Sequence, residues 1–166
     1  MNEENVTPFI TAEIKEATGS ACRMLAIREH SKKQIHDKLL KKGFTIPTIE
    51  YTLVYLVDEN WLCESRFCSS YIRSKSSKGQ GLMKIEMELR QQNISLLIIR
   101  AALIEESINW QKICERTLLK KMTAFEPSEN VPAEQKFNQR VKLEKFLSYR
   151  GFSSDEIKLA INRCFS

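Results

Sequence analysis

One pattern of apolar residues occurs three times along this chain of 166 residues. The copies span 35–53, 85–103 and 143–161, and each has six positions separated by offsets of 4, 4, 1, 5 and 4 residues. The third position is Gly43, Asn93 or Gly151, residue types that tolerate the left-handed backbone found where helices end. Each copy therefore predicts two helices joined by a tight left-handed turn.

The spacing of the copies predicts the architecture of the whole chain. Successive turn residues lie 50 and 58 positions apart, which leaves room for a third helix in each copy. We predict an all-α fold of three tandem three-helix modules that form an elongated, curved array. The expected segments are an acidic extension at 1–20 leading into the first helix, and modules at 21–62, 63–108 and 109–166. Ordinary antiparallel helix pairs are the alternative, but six positions recurring in register favour the modules.

Capping signals place the individual helices. Typical helix starts occur at Thr7-Pro8, at Ser31 with Gln34 and at Ser153 with Glu156. The chain has only 5 Gly and 4 Pro, so few residues interrupt the helices. The predicted helices span 8–27, 32–42, 47–57, 64–76, 82–92, 96–105, 110–122, 134–150 and 154–164, and the longest loop is 123–133.

The charge of the chain is basic overall and unevenly distributed. The net charge is +5 at pH 7 and the pI is about 9.0. Residues 21–43 carry seven Lys/Arg against two acidic residues, residues 65–90 carry six against two, and residues 1–20 carry one against four. Such a balance suits a polyanion or an acidic protein surface as partner.

The cysteines and the N-terminal residues indicate the cellular compartment of the protein. The five cysteines, at positions 22, 63, 68, 114 and 164, are odd in number and scattered, which is typical of reduced thiols in a cytosolic protein. No apolar run approaches the roughly 20 residues of a membrane span, and MNEENVTPF lacks the apolar core of a signal peptide. We expect a cytoplasmic protein that does not contact membranes.

Candidate catalytic residues are few. His30 and His36, the only histidines, have charged neighbours near helix ends, which favours surface positions over a metal ligand or general base. Cys63 and Cys68 have no second cysteine pair at metal spacing, so buried thiols are favoured. The glycine loop 79–81 lacks the lysine and hydroxyl of a P-loop. We expect no enzyme activity, no metal and no cofactor.

The basic segment 65–90 is the strongest candidate for binding. Arg66 and Arg73, seven residues apart, lie on one face of the predicted helix 64–76, opposite an apolar arc. Lysines follow around a glycine loop that we expect to be flexible; they are Lys75, Lys78 and Lys84. Such a group suits phosphate or carboxylate contact, although a solvated face is equally compatible with it. For the second basic group, 32–42, the solvated face is favoured.

Tyr51 and Tyr55 lie one turn apart on the predicted helix 47–57. Exposed aromatic rings at this spacing suit stacking of single-stranded nucleic acid. Because both residues adjoin the apolar stripe of Ile49 and Leu53, packing in the core is the favoured interpretation.

Three of these segments resemble motifs of the RecX family. They are residues 25–31 (LAIREHS), residues 66–81 (RFCSSYIRSK followed by KGQG) and residues 146–152 (FLSYRGF). The resemblance covers about residues 21–165 and preserves order and spacing. It implies three tandem three-helix modules, in agreement with the repeat.

The resemblance also implies a function. Family members bind the helical groove of the RecA filament on single-stranded DNA and limit filament extension, ATP hydrolysis, strand exchange and the co-protease activity that cleaves the LexA repressor. We expect a monomer whose partners are the RecA filament and, through it, single-stranded DNA, with weak direct DNA binding left open. The residues expected to contact RecA or DNA are Arg66, Arg73, Lys75, Lys78 and Lys84, and, with less support because they suit helix C-caps, Arg28 and Arg150.

Two other classes of protein have less support from the residues. A stand-alone helix-turn-helix DNA-binding protein needs base-contacting side chains along a recognition helix, and the nearest group, 91–93, lies at a predicted helix end. A cysteine-based enzyme needs a base beside its thiol, and the sequence places none. The first class predicts duplex binding without RecA, and the second predicts loss of activity on alkylation.

Overall fold

The protein is described by a computed structural model, which covers residues 7–123 and 133–165, with side-chain surroundings for 12–123 and 137–164. Over these residues the chain forms nine α-helices and no strand, which confirms the all-α prediction. Each observed bound lies within two residues of the predicted one. The helices are α1 Thr7–Leu25, α2 Lys32–Lys41, α3 Ile46–Asp58, α4 Glu64–Ser77, α5 Leu82–Gln91, α6 Leu96–Glu106, α7 Trp110–Met122, α8 Ala133–Arg150 and α9 Ser154–Phe165. The predicted loop 123–133 lies almost wholly outside the described residues.

The three predicted left-handed turns are present. Gly43, Asn93 and Gly151 have φ angles of 89°, 61° and 90°. After Gly43 the amide of Phe44 donates to the carbonyl five residues earlier at 3.4 Å, and after Gly151 the equivalent distance is 3.3 Å. This is the Schellman arrangement, which satisfies carbonyls left over at a helix end. The two apolar residues before each turn are buried: Ile35, Leu39, Ile85, Leu89, Leu143 and Leu147.

Of the two predicted capping boxes, that of Ser153 with Glu156 forms in full, whereas at Ser31 only the serine half forms, because the Gln34 side chain accepts from Arg28 Nη1 instead. Ser31 Oγ accepts a hydrogen bond from the Gln34 amide at 3.0 Å. Ser153 and Glu156 form a reciprocal capping box, in which the Ser153 amide donates to the Glu156 carboxylate at 2.7 Å and the Glu156 amide donates to Ser153 Oγ at 3.3 Å. These contacts satisfy amides that lack a partner within the helix, and so fix where α2 and α9 begin.

The described residues form two compact units. The first consists of residues up to Ser70 together with Arg90–Arg100, and the second consists of Tyr71–Leu89 together with the residues from Ala101 onward. Each of the helices α4, α5 and α6 therefore contributes residues to both units. The predicted module boundaries and the curved arrangement stay predictions.

Each unit has its own hydrophobic core. In the first unit α1, α2 and α3 pack around Ala17, Ala21, Ile35, Leu39, Ile49, Leu56 and Leu62. In the second unit α7, α8 and α9 pack around Cys114, Leu118, Leu143, Leu147, Phe152, Ile157, Ala160 and Ile161. The third helix that the repeat spacing requires is thus α1 in the first copy and α7 in the last.

The acidic N-terminal segment has a structural role that the sequence did not reveal. The carboxylate of Glu13, on α1, accepts hydrogen bonds from the Thr45 amide at 2.9 Å and from the Thr48 hydroxyl at 2.7 Å. These bonds, that from the Thr45 amide foremost, hold the pKa of Glu13 below its usual value. Glu13 therefore supplies the negative charge that the N-terminus of α3 favours.

Candidate functional site

The loop between α4 and α5 is fixed by backbone contacts, so the expected flexible loop is not observed. Gly79 has a φ of 74° and ends α4. A Cβ at Gly79 would lie 2.6 Å from Thr117 Oγ1 on α7, so only glycine allows this approach. The Gly81 amide donates to the carbonyl of Arg150 at 2.8 Å, which joins the loop to the end of α8. The predicted lysines around the loop are therefore carried by a defined backbone.

Two of the seven predicted contact residues, Arg66 and Arg28, belong to the first unit, and their guanidinium groups hold loops in place. Arg66 donates from Nε to Glu29 Oε1 at 2.9 Å and from Nη2 to the carbonyls of Asn60 and Trp61 at 2.8 and 3.1 Å. Asn60 has a φ of 55°, so this side chain supports a strained turn between α3 and α4. Arg28 donates to the Glu29 carbonyl at 2.9 Å.

Arg73 and Lys75, in the second unit, both have carboxylate partners. Arg73 pairs with Glu106, and Lys75 Nζ lies 3.0 Å from Glu88 Oε2. The Tyr71 hydroxyl donates to the same oxygen of Glu88 at 2.6 Å. Partial burial raises the pKa of Glu88, but the hydrogen bonds from Tyr71 and Lys75 outweigh it and leave that pKa below its usual value. Lys75 and Glu88 therefore remain a charged pair at neutral pH.

The other three predicted residues, also in the second unit, form no ion pair within 4 Å in the part of the chain that the structure describes, although the charge of Lys84 contributes to lowering the pKa of Glu88. Lys84 Nζ lies 4.3 Å from the ring centroid of Tyr149, a cation–π distance. Arg150 donates from Nη1 to the carbonyl of Lys78 at 3.0 Å. The side chain of Lys78 is exposed and forms no ion pair with a described residue. Its charge is therefore available to a partner.

A cavity of about 280 Å³, here called the α7 cavity, adjoins Lys78 and Arg150. Its wall also contains three cationic residues of α7 that sequence reasoning did not select: Arg116, Lys120 and Lys121. The signal was present in the sequence, because Arg116 and Lys120 lie one helical turn apart and share a face.

The predicted surroundings of His30 and of Tyr51 and Tyr55 were wrong. His30 is only 2% exposed, with Nδ1 at 2.9 Å from the Arg28 carbonyl and Nε2 at 2.9 Å from Lys38 Nζ. Burial, together with the neighbouring cations, lowers the pKa of His30, so the ring is neutral and accepts from Lys38.

Tyr51 and Tyr55 are 58% and 38% exposed. They are not core residues, because two threonines of α3, at positions 48 and 52, take buried positions instead.

The thiols are not organised for chemistry. Burial raises the pKa of Cys68 to about 11 and that of Cys114 to about 12, so both are protonated and unreactive at neutral pH. Cys63 is half-buried rather than buried. No group of three or more His, Cys, Asp or Glu side chains among the described residues is arranged to hold a metal ion. None of the described helices combines the length and apolar character that a membrane crossing requires.

Comparison with known proteins identifies the fold and the family. The family models described as the first and second three-helix domains of RecX match residues 17–56 and 64–103. A regulatory protein RecX from Yersinia enterocolitica is 31% identical over 163 residues, covering 86% of this chain and 93% of that protein. Another, from Chromohalobacter salexigens, is 32% identical over 149 residues, covering 89% and 93%.

Solved structures agree with this result. The crystal structure of RecX from Lactobacillus salivarius has a TM-score of 0.70 at 20% identity and covers 92% of this chain and 97% of that one. A second crystal structure of regulatory protein RecX has a TM-score of 0.75 at 21% identity and covers 98% and 80%. At these identities the likeness shows the fold, while the matched domains and the relatives above 30% identity show the family. The chain belongs to the RecX family.

Proposed function

We propose that this protein binds RecA filaments on single-stranded DNA and inhibits the recombinase, ATPase and co-protease activities of RecA, and that it thereby modulates DNA repair and the SOS response. Membership of the RecX family carries this proposal. The relatives are named regulatory proteins, which supports a role without catalysis. The free cysteines support action in the cytoplasm.

The proposed mode of action is docking of one monomer along the filament groove, in contact with more than one RecA subunit. Each further contact on a polymer is intramolecular once the first has formed, so modest contacts add up to useful avidity. Inhibition is then expected at protein concentrations well below that of RecA.

The seven candidate contact residues do not contribute equally in this proposal. Arg66 and Arg73 already pair with Glu29 and Glu106, so replacing them also perturbs the fold. Lys78 is exposed and has no ion-pair partner among the described residues. Lys78 is therefore the first residue to test, while Lys75, Lys84, Arg28 and Arg150 remain candidates of second rank.

The test is ATP hydrolysis by the cognate RecA on single-stranded DNA, with the protein titrated below the RecA concentration. We expect inhibition by the wild type, at least tenfold weaker inhibition by Lys78→Glu, and unchanged inhibition by Lys112→Glu. Lys112 is a matched control because it is exposed on α7 and lies outside the α7 cavity. No inhibition, together with tight duplex binding in the absence of RecA, would replace the proposal with the stand-alone DNA-binding protein.

A further inference from the structure

The outward side of α3 is apolar in its middle and acidic at its ends. Seven exposed residues of α3 and of the turn after it form this surface, here called the α3 face: Glu50, Tyr51, Val54, Tyr55, Asp58, Glu59 and Trp61. On the helix they follow two adjacent rows with a spacing of four residues, 50–54–58 and 51–55–59. The middle of each row is accessible to a partner, since Tyr51 and Val54 are 58% and 62% exposed.

The turn that follows α3 fixes the aromatic part of the α3 face. The Trp61 amide donates to the Leu56 carbonyl at 2.9 Å, and the Trp61 carbonyl accepts from Arg66 Nη2 at 3.1 Å. The indole, which is 47% exposed, meets the ring of Tyr55 edge-on at a centroid distance of 5.9 Å. Aromatic side chains that are already held in place lose little freedom on binding, and tyrosine and tryptophan are enriched among the residues that dominate protein–protein contacts.

The carboxylates at the end of α3 do not stabilise the helix. Asp58 is its last residue and Glu59 is its C-cap, where the helix dipole favours cations instead. α3 contains no lysine or arginine, and none of its three acidic positions forms an ion pair with a described residue. The residues whose side chains are not described carry one lysine, no arginine and five glutamates, so they supply no compensating charge. The negative charge of the α3 face therefore has no structural explanation.

Charge and area select the kind of partner that fits. Exposed tyrosines alone suit base stacking, but phosphates would approach carboxylates here, which disfavours a nucleic acid. Residues 1–11 are disfavoured for the same reason, because they carry two glutamates and no lysine or arginine. The apolar part amounts to roughly 300 Å², less than half of the about 800 Å² per partner in a typical stable complex. The face therefore fits a short segment of another protein, with apolar side chains beside lysine or arginine.

We infer that the α3 face docks on RecA itself, at a surface segment in which apolar side chains lie beside basic ones. The aromatic side chains fill the centre of this contact, and the carboxylates pair with cations around it. The choice of RecA rests on the proposed function, whereas the chemistry of the partner surface rests on the α3 face alone. This contact is additional to those proposed above, because it involves no basic residue of this protein.

The test compares binding to cognate RecA filaments, assembled on single-stranded DNA with a non-hydrolysable ATP analogue, with binding to the same DNA without RecA. Tyr51→Gln/Val54→Gln removes two apolar side chains that are more than half exposed. Met83→Gln/Met87→Gln is the matched control, since these residues of α5 are 62% and 51% exposed and also lie one turn apart. We expect the α3 variant to bind filaments at least tenfold more weakly and bare DNA normally, and the control to behave like the wild type.

A second variant, Asp58→Asn/Glu59→Gln, tests the charge of the partner. We expect about tenfold weaker binding to filaments, although removing acidic residues from a basic protein strengthens its general attraction to DNA. The urea midpoint should not fall, because the helix dipole disfavours both carboxylates. Stronger binding to filaments and to bare DNA would instead assign the α3 face to a nucleic acid and overturn the inference.

Photo-crosslinking identifies the contacted molecule directly. With Val54 replaced by p-benzoylphenylalanine, we expect crosslinks to a RecA peptide that contains apolar and basic residues. Crosslinks to DNA would overturn the inference. So would unchanged filament binding by Tyr51→Gln/Val54→Gln, or an equal loss in the methionine control.

ATP hydrolysis by RecA, measured with the same proteins, separates this inference from the proposed function. If the wild type inhibits hydrolysis and the α3 variants bind filaments normally, the inference fails while the proposed function stands. If position 54 crosslinks to RecA but the wild type does not inhibit hydrolysis, the inference stands while the proposed inhibition fails. If the wild type neither binds nor inhibits RecA, both fail.

Discussion

The same substitution at three glycines is expected to change stability in three different ways. Gly19 lies within α1, and a Cβ there would meet only Arg23 Nη1, at 3.6 Å. Gly43 has a φ of 89°, and a Cβ there would meet nothing within 4 Å. Gly151 has a φ of 90°, but its Cβ would lie 2.5 Å from the backbone nitrogen of Lys84. The three sites therefore separate helix propensity, backbone strain and steric collision.

The magnitudes follow from these surroundings. Gly19→Ala should stabilise by about 0.5–1 kcal/mol, because alanine favours the helix. Gly43→Ala should destabilise by about 1–2 kcal/mol through left-handed strain. Gly151→Ala should cause the same strain and should also break two hydrogen bonds. One joins the Gly81 amide to the Arg150 carbonyl at 2.8 Å, and the other joins the Met83 amide to the Gly151 carbonyl at 3.0 Å. Each lost bond contributes about 0.5–1.5 kcal/mol and overpacking contributes about 1–3 kcal/mol. Together with the strain, the expected destabilisation by Gly151→Ala is about 3–8 kcal/mol.

Urea unfolding followed by tryptophan fluorescence measures each change in stability separately in the structural unit that carries the substitution. Trp61 lies in the first unit with Gly19 and Gly43, and Trp110 lies in the second with Gly151. The first two substitutions are therefore read in a Trp110→Phe background and the third in a Trp61→Phe background. Equal losses for Gly43→Ala and Gly151→Ala would refute the argument, because the two sites differ in what surrounds the added methyl group rather than in φ.

Three further predictions concern single side chains. Because the pKa of His30 is lowered in the folded protein, the unfolded chain binds more protons below about pH 6.5. The free energy of unfolding should therefore be constant above pH 7 and decrease towards pH 5. The urea midpoint of the His30→Asn variant should vary less with pH than that of the wild type. In thiol titration with Ellman's reagent, Cys68 and Cys114 should react only after unfolding, and rapid native reaction would contradict their burial. Arg66→Lys should destabilise by about 1–2 kcal/mol, because one ammonium cannot replace a guanidinium bonded to Glu29 and two carbonyls; a urea midpoint equal to that of the wild type would show that these bonds do not stabilise the fold.

The fold was largely predictable because its signals are local. Helix starts such as Ser153 with Glu156 lie within one turn, and the turn residues Gly43, Asn93 and Gly151 are the types that a left-handed conformation selects. Each signal is complete within a few residues and so requires no knowledge of distant contacts.

The candidate site was less predictable because it depends on partners far apart in the chain. Spacing placed Arg66 and Arg73 on an exposed face, but their carboxylate partners lie 37 and 33 residues away. The interpretation of Tyr51 and Tyr55 as core residues rests on the neighbouring apolar stripe of Ile49 and Leu53, and an apolar pattern does not reveal that threonines occupy buried positions of α3. Sequence periodicity shows which face of a helix a residue occupies, but it does not show whether its charge is already compensated.

The structure suggests that arginine and lysine have different tasks in this protein. Arg28, Arg66, Arg116 and Arg150 each donate to loop or helix-end carbonyls. Lys78 and Lys120 are exposed without an ion pair among the described residues. A planar guanidinium can hold a carbonyl and still present donors outward, whereas an ammonium on a flexible stem acts as a point charge. Replacing an arginine of the first group by lysine should therefore lower the stability of the fold. Replacing a lysine of the second group by arginine should preserve the inhibition of RecA.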